Sequence, residues 1–413
     1  MADRTFVIVG AALAGAKAAE TLREEGFDGR VILLGDEHER PYERPPLSKD
    51  YLRGESPRDK AYVHEAGFYE EHDIELRTAT TVSAIDIQED AVELDGGHRV
   101  EYDALLVTTG AAPRRLPVEG ADLDGVRYLR TLPDSDALGE AIRASSRVAI
   151  VGAGWIGSEV AASARQMGTE VALIDTAEVP LERVLGRELG AFYRDVHTGH
   201  GVEFLGGTGV ERIEGDGRVE RVVLSGGRAI EADMVLVGIG VAPRAELAEA
   251  AGLEIDNGIK VSASLQTSAP NVYAAGDVAH AWHPLFGAHL RVEHWANALN
   301  QGPAAARSML GTPVSYDRVP YFFSDQYDVG MEYSGHAVGW DSVVIRGDLG
   351  AREFIAFWLK DGRVLAGMNV NVWDVTEPIQ ALVRSGTRVD PGRLAATDQS
   401  LEELVAEVVK PPA

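Results

Sequence analysis

Two glycine-rich turns have the residue spacing of a phosphate-binding site. Gly152, Gly154 and Gly157 follow an apolar run and lead into an Ala-rich segment. Glycines let the backbone approach a pyrophosphate, and the N-terminus of a following helix favours its negative charge. Asp175 lies 23 residues after Gly152, near the ~20 expected for an acid that binds a ribose hydroxyl. The spacing predicts a dinucleotide site.

A second turn of the same kind lies near the N-terminus. Gly10 and Gly15 keep the outer glycine positions, Ala12 replaces the middle glycine, and Asp36 follows the next apolar run. One such motif alone is also found in tight strand–helix turns that bind no ligand. Two copies, each followed by an acid, favour two dinucleotide sites, one for a nicotinamide nucleotide and one for FAD.

The elements that position these turns are repeated as well. Residues 103–113 (DALLVTTGAAP) and 233–243 (DMVLVGIGVAP) share an Asp seven residues before a Gly and a Pro three residues after it. Strands that alternate with helical segments indicate parallel sheets covered by helices. We therefore predict an α/β protein with two Rossmann-like domains. A third apolar strand, 271–277, follows both copies, so one domain takes chain from both sides of the other.

The last ~90 residues have a different pattern. Strand-like runs at 342–346, 354–359 and 364–369 predict an antiparallel sheet, and Asp361-Gly362 is a strong hairpin signal. A final helix is expected over 400–409. The predicted division is a first FAD-binding segment at 1–113, an NAD-binding domain at 114–243, a second FAD-binding segment at 244–320 and a C-terminal α+β domain at 321–413.

Composition narrows the possible partners. The chain has 413 residues with 39 Lys and Arg against 65 Asp and Glu, a formal charge of −26. An acidic surface repels phosphates, so we expect neither nucleic acid nor an anionic membrane as a partner. No apolar run approaches the ~18 residues that span a bilayer. The N-terminus enters a strand at residues 5–9 rather than a cleavable segment, which predicts a cytoplasmic protein.

With these motifs together, the sequence resembles the FAD-dependent pyridine nucleotide oxidoreductases. Within them it is similar to ferredoxin reductases of the putidaredoxin reductase and biphenyl dioxygenase reductase type. The resemblance covers nearly the whole chain and includes residues 44–49 (RPPLSK), 108–113, 127–131 (RYLRT), 152–159, 276–277, 293–298 (EHWANA) and 324–327 (SDQY).

The resemblance implies roles for particular residues. Lys49 would lie near the flavin N5, paired with Glu159 beside the nicotinamide, and these two are the predicted catalytic residues. Trp295 would begin a helix whose N–H groups point at the N1–C2 edge of the flavin. The FAD contacts implied are Gly10, Ala14, Gly15, Asp36, Arg44, Lys49, Val82, Arg130, Asp277 and Trp295. The NAD contacts implied are Gly152, Gly154, Ile156, Gly157, Glu159, Asp175 and Arg183.

The sequence contains no cysteine. This excludes disulfides, cysteine-ligated metals and the redox-active cysteines through which many related flavoproteins pass electrons. Electrons must leave directly from FAD, which suits a one-electron acceptor. The resemblance therefore implies that NADH reduces FAD and that FAD reduces a small ferredoxin, of the two-iron, two-sulfur kind. That ferredoxin would supply a cytochrome monooxygenase or a ring-hydroxylating dioxygenase.

Alternatives remain open at this level. The acceptor could instead be rubredoxin or a quinone, or the chain could be an NADH-sensing flavoprotein of the apoptosis-inducing-factor type. The charge of −26 argues against the last. Asp175 favours NADH over NADPH because it repels a 2′-phosphate, although Arg183 lies close in sequence. The sequence leaves the oligomeric state and the identity of the ferredoxin open.

Several other residues lead to structural expectations. Phe323 stands where many relatives have a Trp against the flavin. Trp155 either gates the nicotinamide or is a core aromatic residue, and Pro303 should kink or restart the helix after Trp295. Four histidines lie close together in sequence after Gly276, namely His280, His283, His289 and His294. We expect no metal site there, because no cysteine accompanies them and they are expected to be dispersed on the surface.

An acidic reductase needs a local positive patch to dock an acidic ferredoxin. Residues 38–60 carry six Lys and Arg against five Asp and Glu, well above the average charge of the chain. We take this stretch as the candidate patch, with Arg53 and Arg307 as residues to test. The alternative is a mixed-charge surface that only interacts with solvent.

Overall fold

The structure, a computed structural model, describes residues 4–409. The α-helices are α1 Leu13–Glu24, α2 Asp50–Arg53, α3 Phe68–Glu71, α4 Leu132–Ala144, α5 Trp155–Gln166, α6 Glu182–Gly199, α7 Glu246–Ala250, α8 Trp295–Met309, α9 Thr376–Ser385, α10 Pro391–Ala395 and α11 Leu401–Val408. Short 3₁₀ turns lie at Pro45–Ser48, Arg58–Ala61 and Gly276–Val278.

The strands follow one another along the chain in small groups. They are β1 Thr5–Val9, β2 Arg30–Leu34, β3 Ile74–Arg77, β4 Val82–Asp86, β5 Ala91–Leu94, β6 Arg99–Glu101, β7 Ala104–Val107, β8 Ala111–Pro113, β9 Val126–Arg127, β10 Arg147–Val151, β11 Glu170–Ile174, β12 Glu203–Leu205, β13 Val210–Glu214, β14 Arg221–Leu224, β15 Ala229–Glu231, β16 Met234–Val237, β17 Val241–Pro243, β18 Ile259–Val261, β19 Val272–Ala274, β20 Ala279–His283, β21 Ala288–Leu290, β22 Tyr321–Gln326, β23 Val329–Gly335, β24 Ser342–Asp348, β25 Glu353–Lys360 and β26 Arg363–Val370.

Contacts divide the chain into two units. The first contains the chain up to Glu43, Arg58–Ala112 and Ala242–Pro320, and the second contains Arg44–Pro57, Pro113–Val241 and the chain from Tyr321 onward. Arg44–Pro57 lies inside the predicted first FAD-binding segment, yet its contacts are with the second unit. The division into FAD-binding, NAD-binding and C-terminal domains remains a prediction.

The first unit is organised around a parallel sheet in the order β19-β7-β1-β2-β3. Strand β1 lies at its centre, and Phe6, Val7, Ile8 and Val9 are buried. β19 comes from the later segment of the chain and pairs with β7. This confirms the prediction that one domain takes chain from both sides of the other. The carboxyl end of β1 leads into the first glycine turn.

The second unit contains a parallel sheet in the order β12-β11-β10-β16-β9 and an antiparallel sheet in the order β22-β23-β26-β25-β24. The predicted repeat and the C-terminal antiparallel sheet are therefore both confirmed. The core of the antiparallel sheet includes the fully buried Trp358, whose indole N–H donates to the carbonyl of Leu185 at 3.2 Å.

Most local predictions are confirmed, with small shifts of boundary. Asp361 and Gly362 form the predicted turn with φ values of 50° and 74°, between β25 and β26. The final helix α11 begins after Ser400, whose hydroxyl accepts from Glu403 N in a capping box. The sequence analysis missed β22 and β23, which form a further hairpin of the antiparallel sheet.

The expectation for Pro303 is wrong in part, because helix α8 does not restart there. It is one helix from Trp295 to Met309 with Pro303 inside it. At Gly302 the backbone of α8 lies against α1, and a Cβ atom there would clash with the carbonyl oxygen of Ala14. The helix thus continues past Pro303 while packed closely against α1, and the expected kink remains a prediction.

Within residues 4–409, no helix is both long and apolar enough to cross a membrane.

Candidate dinucleotide and redox site

The first glycine turn connects β1 to α1 in the first unit. Gly10 has a φ of 116°, and a Cβ atom there would clash with the carbonyl oxygen of Thr108. A Cβ atom at Gly15 would clash with the carbonyl oxygen of Gly10. Helix α1 begins after Ala12 without a side-chain cap. Its first N–H groups can therefore bind a phosphate, because no side chain of the helix end occupies them.

Asp36, the acid that follows this turn, forms an ion pair with Arg244 at 2.9 Å. The backbone of Arg244 is held on both sides, because its N–H donates to Gly110 O and its carbonyl accepts from Thr109 Oγ1 at 2.6 Å. Arg244 was not among the residues predicted from the sequence. It is 208 residues from Asp36, so no local pattern connects the two.

Asp277 lies in the 3₁₀ turn Gly276–Val278, in the same unit as the first glycine turn. Gly276 has a φ of 78°, and its N–H donates to the buried Gln301 Oε1 at 2.9 Å. A Cβ atom at Gly276 would lie 3.3 Å from the Cβ of Ala14. Gln301, another residue missed from the sequence, therefore fixes the turn that carries Asp277 beside α1.

Trp295 begins α8, as predicted, and the helix has no side-chain cap at its N-terminus. By contrast, α4 begins with a capping box formed by Thr131 and Asp134. The uncapped N–H groups of α8 can face a partial negative charge on a ligand. Val82 is buried in β4, where it pairs with Leu94 of β5.

The second glycine turn connects β10 to α5 in the second unit. Cβ atoms at Gly152 and Gly157 would clash with the carbonyl oxygens of Gly238 and Gly152 respectively. Gly154 differs, since a Cβ atom there would have no other heavy atom within 4 Å. Packing therefore requires the two outer glycines but not the middle one. Helix α5 also begins without a side-chain cap, and open space at Gly154 fits close approach of a pyrophosphate.

Asp175 is held against this second turn. Its Oδ2 accepts from Ala153 N at 2.5 Å and its Oδ1 accepts from Ala177 N at 2.8 Å. The carboxylate is thus fixed beside the glycine turn, where each oxygen retains a lone pair for a ribose hydroxyl.

Ile156 is 46% exposed, and Arg183 is exposed near the start of α6. Both are accessible to a ligand.

Lys49 and Glu159 form an ion pair in the second unit. Lys49 Nζ lies 2.9 Å from Glu159 Oε2, and the two side chains are only 11% and 5% exposed. Ser48 donates to Glu159 Oε2 at 2.5 Å, and Ser324 donates to Glu159 Oε1 at 2.7 Å. Ser48 and Ser324 lie in the RPPLSK and SDQY segments, but no role was predicted for their hydroxyls.

Three elements bring the pair together. Lys49 follows the 3₁₀ turn Pro45–Ser48, Glu159 lies on α5, and Ser324 lies on β22. The 3₁₀ turn is fastened to α4 by Ser135, whose hydroxyl donates to Leu47 O at 2.8 Å. These contacts hold the lysine in a buried position where solvent screens its charge weakly.

Lys49 also contacts Pro45 and Phe323, and its Nζ donates to the carbonyl oxygen of Pro45 at 3.2 Å. Its Nζ lies 5.6 Å from the centre of the Phe323 ring, within range of a cation–π interaction. Phe323 thus presents an aromatic face to the lysine, whatever residue other reductases have there. Arg44, at the start of the same segment, donates to the carbonyl oxygen of Arg130.

Trp155 packs with the aromatic core of the second unit. Its ring lies 4.9 Å from that of Phe322 and 6.0 Å from that of Tyr193, both edge to face. Of the two interpretations offered by the sequence, these contacts favour the core aromatic residue.

The expectation of dispersed surface histidines is wrong. His283 is buried and its Nε2 bonds with Arg318 O at 2.9 Å, while His280 and His289 are half-buried with ring centres 5.4 Å apart. The strands β20 and β21 bring these histidines onto one small sheet. Among residues 4–409, no three His, Asp or Glu side chains are arranged to hold a metal ion.

Arg53 and Arg307, the two residues named as tests of docking, both form ion pairs with nearby acids. Arg53 is only 14% exposed and pairs with Glu55 at 2.7 Å as well as with Asp50. Arg307 is more exposed but pairs with Glu25 at 2.7 Å. The roles of Arg53 and Arg307 in docking remain a prediction.

Comparison with known proteins identifies the class that this fold and site define. Residues 4–302 match the model of the pyridine nucleotide-disulphide oxidoreductase family, and residues 321–405 match the reductase C-terminal domain. The chain belongs to the pyridine nucleotide-disulphide oxidoreductase family.

Individual relatives resemble the chain over nearly its full length. It is 41% identical to the ferredoxin reductase subunit of 5,5′-dehydrodivanillate O-demethylase from Sphingobium sp., covering 97% of this chain and 98% of that protein. It is 36% identical to putidaredoxin reductase from Pseudomonas putida, covering 98% and 97%. The reductase in the crystal structure of a covalent putidaredoxin reductase–putidaredoxin complex is 36% identical, with a TM-score of 0.95 over 99% of both chains.

Proposed function

We propose that this protein is a FAD-dependent ferredoxin reductase. It passes electrons from NADH through FAD to a small iron–sulfur ferredoxin that supplies an oxygenase. The observation that carries the proposal is the buried Lys49–Glu159 pair. The glycine turn predicted to bind NAD leads into α5, whose fifth residue is Glu159. Glu159 in turn holds the lysine predicted to face the flavin.

The residues present fit both dinucleotides. FAD would be held by Gly10, Ala14, Gly15, Asp36, Arg44, Lys49, Val82, Arg130, Asp277 and Trp295, and NADH by Gly152, Gly154, Ile156, Gly157, Glu159, Asp175 and Arg183. The corresponding division is an FAD-binding domain at 1–113 and 244–320, an NAD-binding domain at 114–243 and a C-terminal domain at 321–413. When bound, FAD accepts a hydride from NADH and releases electrons singly.

The protein's own residues have defined tasks in this scheme. Lys49 places a positive charge in a buried site, and Glu159 fixes that charge through the 2.9 Å contact. The uncapped start of α8 offers N–H groups that stabilise negative charge, by about 0.3–2 kcal/mol. Because the chain has no cysteine, no thiol can relay electrons from the flavin, and the acceptor must take them directly.

We place the protein in the cytoplasm.

Rapid kinetics under anaerobic conditions tests the proposal. NADH should bleach the flavin absorbance in a fast first phase, and an oxidised two-iron, two-sulfur ferredoxin should restore it in a second phase. Rubredoxin and a small quinone are the comparison acceptors. Faster restoration by either than by every ferredoxin tried would contradict the assignment, and so would a flavin that NADH does not reduce.

The fixed position of Asp175 predicts a preference for NADH. Its carboxylate, held by two backbone N–H groups, would bond to the ribose hydroxyl of NADH and repel the 2′-phosphate of NADPH. Asp175→Ala should lower kcat/KM for NADH about tenfold, as expected for the loss of one charge-assisted hydrogen bond. The preference for NADH over NADPH should therefore become smaller. Glu178→Ala, two residues beyond Thr176, is the control for loss of a nearby negative charge. Equal kcat/KM for the two nucleotides in the wild-type protein would contradict this prediction.

The Gly276–Val278 turn predicts a role for Asp277 in FAD retention. Asp277→Ala should weaken FAD binding about tenfold, because a carboxylate that bonds to a hydroxyl contributes roughly 1.5 kcal/mol. Equilibrium dialysis of the reconstituted protein measures this. Asp256→Ala removes an exposed acid from the same unit and should leave the dissociation constant unchanged. Unchanged retention in Asp277→Ala would remove Asp277 from the set of FAD contacts.

A further inference from the structure

A chain of buried polar side chains extends from Glu159 away from Lys49. Ser324 bonds to Glu159 Oε1, Gln326 Nε2 donates to Ser324 Oγ at 3.2 Å, and Gln326 Oε1 bonds with His197 Nε2 at 3.0 Å. His197, Ser324 and Gln326 are each at most 1% exposed. We propose that Gln326 and His197 are positioning residues that orient the Glu159 carboxylate, and through it Lys49, for electron transfer. This inference rests on the proposed function.

The direction of each hydrogen bond follows from the carboxylate. An ionised Glu159 can only accept, so the single hydroxyl proton of Ser324 points at it. Ser324 Oγ must then accept from the next residue, which places the amide nitrogen of Gln326 towards Ser324. The amide oxygen of Gln326 is left to accept, so His197 donates through Nε2. Each donor therefore points towards Glu159.

His197 can keep this direction because it is neutral. Burial lowers the pKa of His197 to about 4, so only one ring nitrogen carries a proton near pH 7. With the proton on Nε2, Nδ1 is an acceptor, and the hydroxyl of Tyr327 lies 3.4 Å from it. Tyr327 stacks on His200 with ring centres 3.8 Å apart. The chain thus ends on a packed aromatic pair.

This network of hydrogen bonds from Glu159 to His197 orients the carboxylate but does not conduct protons. A relay of protons requires each member to accept a proton on one side while giving one up on the other. The primary amide of Gln326 does not do this readily, because its nitrogen has no lone pair available for a proton. The network is therefore a fixed support, which occupies Glu159 Oε1 so that Oε2 remains directed at Lys49 and Ser48. A supporting shell of this kind holds a reacting constellation in place.

Loss of the support should appear in the rate of flavin reduction rather than in NADH binding. Gln326→Leu removes both polar ends of the amide and frees the carboxylate to rotate. We expect the limiting rate of flavin reduction by NADH to fall about tenfold, as for a small misplacement of a reacting group, with an unchanged dissociation constant for NADH. His197→Phe cuts the chain one residue further away and should show the same pattern, with a smaller loss.

Thr169→Val is the matched control. Thr169 is buried in the same unit, and its hydroxyl donates to Ile142 O at 3.1 Å with no connection to Glu159. The Thr169→Val variant therefore loses a buried hydrogen bond, as Gln326→Leu does, but one outside the network. A limiting rate in Gln326→Leu no lower than in Thr169→Val would overturn the inference.

A double-mutant cycle separates this inference from the proposed function. Glu159→Gln should slow flavin reduction, and adding Gln326→Leu to it should cause no further loss, because the group that the chain orients has already been changed. If Glu159→Gln alone has no effect, the proposed role of the ion pair fails. If Glu159→Gln slows flavin reduction but the double variant shows the product of the two single rate reductions, the role of the ion pair is supported and the positioning role of Gln326 is contradicted.

A spectroscopic measurement on the holoprotein tests the direction of the hydrogen bonds directly. Nitrogen-15 NMR of histidine-labelled protein reports which ring nitrogen carries the proton, and the His197 signal is assigned by its loss in His197→Gln. We expect the neutral form with the proton on Nε2, and a shift of that signal in Glu159→Gln. A proton on Nδ1 would reverse the chain and overturn the inference.

Discussion

Lys49→Met is expected to lower the free energy of unfolding by about 3–5 kcal/mol, the usual result of removing one partner of a buried ion pair. Glu159 would stay behind with its Ser48 and Ser324 hydrogen bonds, but without the opposite charge that lies 2.9 Å away. Methionine keeps the length and the apolar stem of lysine. The loss is therefore one of charge rather than of packing. Urea unfolding with FAD in excess measures it.

Two comparisons make this prediction specific. Adding Glu159→Gln to Lys49→Met removes the unpaired charge and should restore most of the lost stability. Lys260→Met breaks a matched but exposed pair, Lys260–Glu254 at 3.2 Å, and should cost at most about 1 kcal/mol. A loss in Lys49→Met no larger than in Lys260→Met would show that the pair is not isolated from solvent as the structure has it.

The glycine turns and the sheets around them could be predicted from sequence because their signals are local. Gly10, Gly15, Gly152 and Gly157 each meet a backbone carbonyl where a Cβ atom would clash. For Gly15 and Gly157 that carbonyl belongs to the same turn, at Gly10 and Gly152, so the requirement arises within a single strand–turn–helix unit. The same holds for the Asp361-Gly362 hairpin, since both residues adopt positive φ values.

Strand β22 was missed for a reason connected with the site. Its buried positions are occupied by Phe322, Ser324 and Gln326. Two of these three inward residues are polar, because they bond to Glu159 and His197 rather than pack against an apolar core. The alternation of apolar and polar residues that indicates a strand is thus broken by the residues that build the network.

Other partners were missed because they are distant in sequence. Ser324 is 165 residues from Glu159, and Gln326 is 129 residues from His197. In each of these pairs the two residues lie on different elements, and no spacing rule relates them. The transfer of Arg44–Pro57 to the second unit has the same origin, since its contacts, such as Ser135 with Leu47, join segments 88 residues apart. Sequence motifs named these segments, but only the fold could show what they touch.

The pH dependence of stability gives the second large effect, through His197. Burial lowers the pKa of this histidine to about 4 in the folded protein, against about 6.5 in an unfolded chain. Above pH 6.5 His197 is neutral in both the folded and the unfolded protein, so it does not change stability with pH. As the pH falls from 6.5 to 4, the unfolded state binds a proton that the folded state does not, so stability is lost. Below pH 4 both states bind the proton and the loss is complete.

The loss amounts to about 3 kcal/mol, since one pKa unit corresponds to about 1.4 kcal/mol. Urea unfolding at closely spaced pH values between 7 and 4 should show the wild-type protein losing this much more stability than His197→Gln, which cannot titrate there. Paired carboxylates contribute to the acid dependence of both proteins and cancel in the difference. His98→Gln removes an exposed histidine and should leave the wild-type slope unchanged. Parallel pH profiles for wild type and His197→Gln would mean that water reaches His197 in the folded protein, and the Gln326–His197 hydrogen bond would then lose its buried character.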